Sequence, residues 1–242
     1  MTQHYPVIIS IDFGKVKKNK EKRRAHKLTY FIIIIFFLFF KKKKKGTTYS
    51  GCCYALADTT QVHDIIKWPK SNGFYAKVPS LVYYRNKNGK LLDWGKGARL
   101  LSLRPDNDGT LIQYFKLALI SQEMKLPPNK THVQVIADYL RRFHDYVYEE
   151  LLKTFLLKDY RQHQYRYVVP AIWSDETKAY MREAAIEAGL IQQDDPLHRL
   201  ELISEPEAAA AYCENKYNSW NLTDGDIFMI VDAGGGTVDL IT

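Results

Sequence analysis

Ile227-Phe228-Met229-Ile230-Val231-Asp232-Ala233-Gly234-Gly235-Gly236-Thr237-Val238-Asp239-Leu240 decides how the rest of the chain is read. A run of β-branched and large apolar residues reads as a buried strand, and it stops at an acid and three glycines. Glycine has no Cβ and accepts backbone angles that other residues avoid, so successive N–H groups can close on a polyanion. Asp232 ends the strand where a carboxylate can hold a water of hydrated Mg²⁺, and Asp239 returns on the strand that follows. Strand, Asp, three glycines, Thr and a second Asp predict a hairpin that handles nucleotide phosphate and a metal. Glycines without the two acids would predict only a loose loop.

Val7-Ile8-Ile9-Ser10-Ile11-Asp12-Phe13-Gly14 is a shorter echo of that pattern, an apolar strand ending in Asp and Gly. It runs into Lys15-Val16-Lys17-Lys18-Asn19-Lys20, then Phe31-Ile32-Ile33-Ile34-Ile35-Phe36-Phe37-Leu38-Phe39-Phe40, then lysine at every position from 41 to 45. Ordinary composition resumes at Gly46-Thr47-Thr48-Tyr49-Ser50-Gly51. A transmembrane helix needs about 20 apolar residues, more than the apolar run here supplies. A signal peptide would begin the chain and end in small residues. Residues 15–45 are instead nearly restricted to Lys, Asn, Ile, Phe and Tyr, which A/T-rich codons specify. Removing 15–46 joins Asp12-Phe13-Gly14 to Thr47-Thr48-Tyr49 as one strand–loop–strand, so the segment reads as an aberrant insertion, a translated intron.

With 242 residues and 46% apolar composition, the chain can bury a full core in one or two domains. The formal charge of +8 invites nucleic acid as a partner. However, residues 15–45 carry 13 Lys and Arg against the single acid Glu21, leaving 22 basic and 26 acidic residues elsewhere. The folded body is mildly acidic and nucleic acid is excluded as its partner. Three cysteines, two of them adjacent, give no disulfide framework and point to a reducing, cytoplasmic compartment.

Between the two acid-tipped strands the pattern alternates. Strands are expected at 51–57 and 61–68, and a hairpin pairs 80–84 with 90–94 across Asn86-Lys87-Asn88-Gly89. Helices are expected near 96–103, from Thr131 to about 156, from Ser174 to Gly189, and from Pro206 to about 217. Strands at 165–169 and 199–204 separate the later helices. Antiparallel strands at the front and strand–helix alternation behind predict an α/β fold on a mixed sheet. His63, His144 and His163 are scattered and read as solvated or core-edge residues, not ligands.

Three blocks resemble the nucleotide-binding domain of the seventy-kilodalton heat-shock protein family, in the actin-like ATPase superfamily. They are Ile11-Asp12-Phe13-Gly14 resumed at Thr47-Thr48-Tyr49-Ser50, Ile203-Ser204-Glu205-Pro206-Glu207-Ala208-Ala209-Ala210, and Val231-Asp232-Ala233-Gly234-Gly235-Gly236-Thr237-Val238-Asp239. Val169-Pro170-Ala171-Ile172-Trp173, with Met181-Arg182-Glu183-Ala184-Ala185, is nearest the divergent heat-shock-protein-twelve branch. The resemblance implies a ribonuclease H-like first lobe on a five-stranded mixed sheet flanked by helices, formed by 1–14 and 46–225. Residues 226–242 would then open a truncated second lobe.

The resemblance also implies roles. Asp12 and Asp232 would orient the waters of Mg²⁺. Gly14, Thr47, Thr48 and Tyr49 would wrap the phosphates of ATP or ADP, with Gly234, Gly235, Gly236 and Thr237 closing from the other side. Lys116 would stabilise the transferred phosphoryl, Glu205 would hold a metal-bound water, and Asp239 would assist proton removal from the attacking water. Pro170 would be a switch at the lobe junction. Co-chaperones and client proteins are the implied partners of an intact parent. With the first phosphate loop split and little of the second lobe present, the chain as written is expected to bind ATP weakly or not at all. Two other functions fit parts of the sequence: a membrane-associated, non-catalytic interaction protein anchored by 15–45, and a small-molecule kinase of the same superfamily. The Thr-Thr-Tyr-Ser loop and the Ser-Glu-Pro-Glu-Ala-Ala-Ala block argue against the kinase.

Overall fold

The computed structural model describes residues 33–39, 49–55, 62–115, 119, 124–154, 164–169, 173–204, 207–208, 229–233 and 238–241. The expected strand at 7–14 and most of the helix expected after Pro206 lie outside these residues.

A mixed sheet organises the chain. Its strands are β1 (Ile33–Phe39), β2 (Tyr49–Ala55), β3 (Val62–Asp64), β4 (Lys77–Pro79), β8 (Gln164–Val169) and β9 (Leu200–Ser204). The path is β3-β2-β1-β8-β9, five strands wide, with β4 added on β2 beside β3. β2 runs antiparallel to β1, β3 and β4, whereas β1, β8 and β9 run parallel to one another. The five-strand path agrees with the sheet that the resemblance implied. Its central strand, however, comes from within the basic and apolar segment 15–45. A strand flanked on both sides in a covered sheet reads as a continuous apolar run, and Ile-Ile-Ile-Phe-Phe-Leu-Phe is one. Cys52 and Cys53, adjacent on β2 and therefore on opposite faces, are both buried and neither is in a disulfide, so the sheet is covered on each side at that point.

A second, three-stranded sheet joins β5 (Leu81–Arg85) to β6 (Leu91–Trp94) and β7 (Gly109–Gln113), in the order β6-β5-β7. The β5–β6 hairpin is the one expected from Asn-Gly. Gly89 has φ +63, a left-handed angle that glycine takes without strain. β7 had no sequence signal, because Gly-Thr-Leu-Ile-Gln is short and does not alternate; pairing with β5 makes it a strand.

Helices α1 (Gly95–Ser102), α2 (His132–Thr154) and α3 (Asp175–Glu187) follow the expected positions closely. Thr131 and Gln134 form a reciprocal cap on α2: the Gln134 N–H donates to Thr131 Oγ1 at 3.1 Å, and the Thr131 N–H to Gln134 Oε1 at 3.0 Å. Ser174 accepts from the Thr177 N–H at 3.2 Å at the start of α3, and Gly189, at φ +80, closes it.

The core lies along α2. Val135, Ile136, Tyr139, Leu140, Phe143 and Val147 are buried along one stripe of the helix. Phe143 meets Trp68 at 5.1 Å and Trp94 at 5.9 Å between ring centres, and Tyr139 meets Phe115 at 5.1 Å. No helix among the described residues is long and apolar enough to cross a membrane.

Candidate functional site

Two pieces of the described chain bear on the expected site. The first is the hairpin of β10 (Ile230–Ala233) and β11 (Val238–Ile241), an antiparallel pair with its own two-stranded sheet. Its register sets Asp232 directly opposite Asp239, with Val231 opposite Leu240 and Ala233 opposite Val238. The two acids chosen from the sequence are therefore cross-strand partners, one position from the Gly-Gly-Gly-Thr turn.

The second is one edge of the mixed sheet. Val169, last in β8, stands opposite Ser204, last in β9. β1 is parallel to both, so its end at Phe39 reaches the same edge. There Phe39 pairs with Tyr49, and Tyr49 with Pro79. In open α/β sheets, ligands collect outside the carboxyl ends of the parallel strands. The chain enters β2 at Tyr49 from Thr47-Thr48, leaves β8 at Val169 toward Pro170, and leaves β9 at Ser204 toward Glu205. Three stretches singled out in the sequence thus meet the sheet at one edge.

Tyr49 is described and half-buried. Asp12, Gly14, Thr47, Thr48, Lys116, Glu205, Gly234, Gly235, Gly236 and Thr237, with Pro170, lie outside the described residues. Lys116 follows Phe115, which is buried in the aromatic core. Among the described residues no three or more His, Cys, Asp or Glu side chains converge as a metal cage. Magnesium does not require one, since it keeps most of its waters and takes one or two carboxylates.

Several polar features escaped the sequence reading. The Ser204 N–H donates to Glu207 Oε2 at 2.7 Å, and the Glu207 N–H to Ser204 Oγ at 3.3 Å. This is a capping box, and its signal, Ser-x-x-Glu, was legible in Ser204-Glu205-Pro206-Glu207. It bears on Glu205, since an acid beside a helix N-terminus can serve that terminus alone: here Ser204 and Glu207 already cap the turn. Ser50 and Ser80 share a 2.7 Å hydrogen bond in full burial, close to the edge. The Tyr139 hydroxyl lies beside them, and burial raises its pKa. Asp138 gathers the Tyr84 hydroxyl at 2.9 Å and Lys130 Nζ at 2.7 Å; it ties α2 to β5.

His144 lies deeper than the solvated or core-edge position expected of it, because its place on α2 faces the core. It is buried on α2, stacks at 6.1 Å on Tyr148, and burial, then the charge of Arg199, lowers its pKa to about 4. His63 stacks on Tyr54 at 5.1 Å.

Comparison with known proteins adds to these placements. No protein-family model matches the chain. It is 29% identical to heat shock 70 kDa protein 12B of Homo sapiens, over 69% of this chain and 27% of that protein. It is 30% identical to heat shock 70 kDa protein 12A of Mus musculus, over 34% of this chain and 20% of that protein. The chain is thus similar to 70 kDa heat shock proteins of the 12A and 12B kind. It spans little more than a quarter of the length of the first of these relatives. Among solved structures, MreB5 of Spiroplasma citri bound to ADP aligns with a TM-score of 0.45 and 16% identity, over 88% of this chain and 47% of that one. A non-polymerising MamK mutant bound to AMPPNP aligns with a TM-score of 0.46 and 16% identity, over 89% of this chain and 50% of that one.

Proposed function

We propose that this heat-shock-related domain carries the phosphate- and metal-handling elements of a Mg²⁺–ATP site, in a cytoplasmic chaperone that hydrolyses ATP slowly to drive closure of its lobes. The observation that carries the reading is the pairing of Asp232 with Asp239. Residues directly opposite in an antiparallel pair share a face, with Cβ atoms about 5 Å apart, and like charges set there repel. A bound cation offsets that repulsion. The three glycines between the acids would supply backbone N–H donors with no Cβ to hold a phosphate away.

The roles divide as the chemistry requires. Asp12 and Asp232 would hold waters of the metal, which when bound neutralises charge on the phosphates. Gly14, Thr47, Thr48 and Tyr49 would bind the phosphates from the sheet edge, and Gly234, Gly235, Gly236 and Thr237 from the hairpin. Lys116 would stabilise charge on the transferred phosphoryl. Glu205 would orient a metal-bound water, and Asp239 would accept a proton from the attacking water. Phosphoryl transfer asks for positioning and electrostatics more than covalent chemistry, so acids, one lysine and backbone donors suffice.

Calorimetric titration tests this. Mg²⁺–ATP and Mg²⁺–triphosphate are titrated into the chain and into the chain lacking residues 15–46, each with and without EDTA. The shortened chain is expected to bind at least about tenfold more tightly, about 1.4 kcal/mol, and to lose that gain in EDTA. Equal affinities in the two chains, or binding indifferent to EDTA, would overturn the reading.

A further inference from the structure

The central strand slot of the mixed sheet has two claimants in this chain. Ile33–Phe39 fills it as β1, bonded to β2 from Ile35 to Phe39 and to β8 from Ile33 to Phe36. The other long edge of β2 is taken by β3 at Cys53, Tyr54 and Ala55 and by β4 at Tyr49, Ser50 and Gly51. The other edge of β8 is taken along Tyr165 to Val169 by β9. While β1 is in place, no second strand can lie between β2 and β8, and the sheet can grow only beyond β9 or beyond β3 and β4. Yet Val7-Ile8-Ile9-Ser10-Ile11-Asp12-Phe13 has the same length as β1 and a strand-forming composition, and it alone of the two runs out through Asp12-Phe13-Gly14.

We propose that Ile33–Phe39 is a decoy strand: it excludes residues 7–13 from the central slot and holds the domain folded in a form that cannot complete its metal site. The inference rests on the Mg²⁺–ATP reading for its functional consequence, though not for the exclusion itself. Hydrogen bonding cannot tell the segments apart, since each offers the same backbone. Apolar area favours the decoy, all seven of whose residues are apolar, whereas 7–13 includes Ser10 and Asp12. The end of the strand is where they differ chemically. Laid over the same seven positions, Asp12 would stand where Leu38 stands, and Gly14 would follow where Phe40 follows. The slot thus exchanges a carboxylate for an aliphatic side chain, and the glycine behind it for a phenylalanine. An occupied slot therefore leaves the sheet intact and removes Asp12, with Gly14 behind it, from its expected place opposite the hairpin acids. Where residues 15–45 come from does not alter the exclusion.

Peptide-resolved hydrogen exchange on the full chain reads the slot directly. Residues 33–39 are expected to exchange at least about tenfold more slowly than 7–13. Removing 15–46 should transfer that protection to 7–13. A second pair of variants keeps the test decisive if the deletion does not fold. In the full chain, Ile9→Lys with Ile11→Lys should leave the melting temperature and the protection of 33–39 unchanged, whereas Ile35→Lys with Phe37→Lys should abolish the protection of 33–39. Simultaneous protection of both segments in the full chain, or melting of the sheet by the Ile9 and Ile11 substitutions, would overturn the proposal. Protection of 7–13 in the shortened chain without any Mg²⁺–ATP binding would support strand exclusion and defeat the nucleotide reading alone.

Discussion

The chain contains two strand–turn–strand units of the same plan, and they met different fates. In β10–β11 the link is 234–237, Gly-Gly-Gly-Thr, and an acid stands opposite an acid in the register. In β1–β2 the link is 40–48, it carries five lysines, and Phe39 faces Tyr49. The difference separates two kinds of selection. A slot in the middle of a covered sheet selects apolar surface and a free backbone, and any apolar run of the right length satisfies it. A site that holds a charged ligand selects residue type at particular positions, which a low-complexity run cannot imitate. A domain can thus keep its architecture while losing half of its chemistry.

The sheet side of this contrast breaks most severely at Phe143. It is fully buried and touches Trp68, Trp94 and Tyr139 at ring-centre distances of 5.1 to 5.9 Å. Phe143→Ala is expected to cost about 3–5 kcal/mol through lost contacts and the cavity left behind, measured by urea unfolding. A cost below about 1 kcal/mol would mean that the aromatic cluster on α2 does not support the sheet.

The hairpin side should respond in the opposite way. With residues 15–46 removed, Asp239→Asn is expected to lower ATP turnover by about 100-fold or more, the usual worth of a positioned proton acceptor. The melting temperature should hold or rise slightly, because one of two opposed charges has gone. A lower melting temperature with unchanged turnover would make Asp239 a structural residue and dissolve the distinction drawn between the two units.

His144 sharpens the contrast through pH, since residues 226–242 contain no histidine and the titration reports only on the larger body. A free histidine titrates near pH 6.5; burial, then Arg199, holds the native imidazole at about 4. Arg199 is itself buried and paired with Asp195 at 3.1 Å. Below pH 6.5 the unfolded chain binds a proton that the native state refuses. Stability complete above that pH is therefore lost as pH falls toward 4. Between pH 7 and 5 the loss is expected to be roughly 2 kcal/mol, and His144→Gln should flatten that limb of the curve in denaturant titrations. An unchanged slope would assign the acid sensitivity to other groups.

What the sequence disclosed follows the same division. The α2 stripe, the Asn-Gly hairpin, the Ser174 cap and the Gly189 stop each follow from a local rule, and each sits within a few residues of its expected place. The hairpin that returns Asp239 on a second strand was legible as well, whereas the register that sets it directly opposite Asp232 came from the backbone. The occupant of the central slot was not. Residues 33–39 looked foreign by composition, and composition carries no information about whether a neighbouring sheet has room for them. β7 was missed for a related reason: its strand character comes from β5, not from its own residues.

The smallest expected effect tests the sheet edge, where the two kinds of selection meet within a single turn. Ser204 ends β9 and accepts from the Glu207 N–H, while Glu207 returns the bond to the Ser204 N–H. Ser204→Ala removes one half of this cap and should cost about 1 kcal/mol. Glu207→Gln retains an acceptor and should cost less. Glu205 makes neither bond of the cap, so Glu205→Gln should leave stability unchanged within about 0.5 kcal/mol while weakening Mg²⁺-dependent ATP hydrolysis in the chain lacking 15–46. If Glu205→Gln instead destabilises as much as Ser204→Ala with hydrolysis intact, the acid serves the helix N-terminus, and the carboxyl edge of the sheet loses one of its chemical groups.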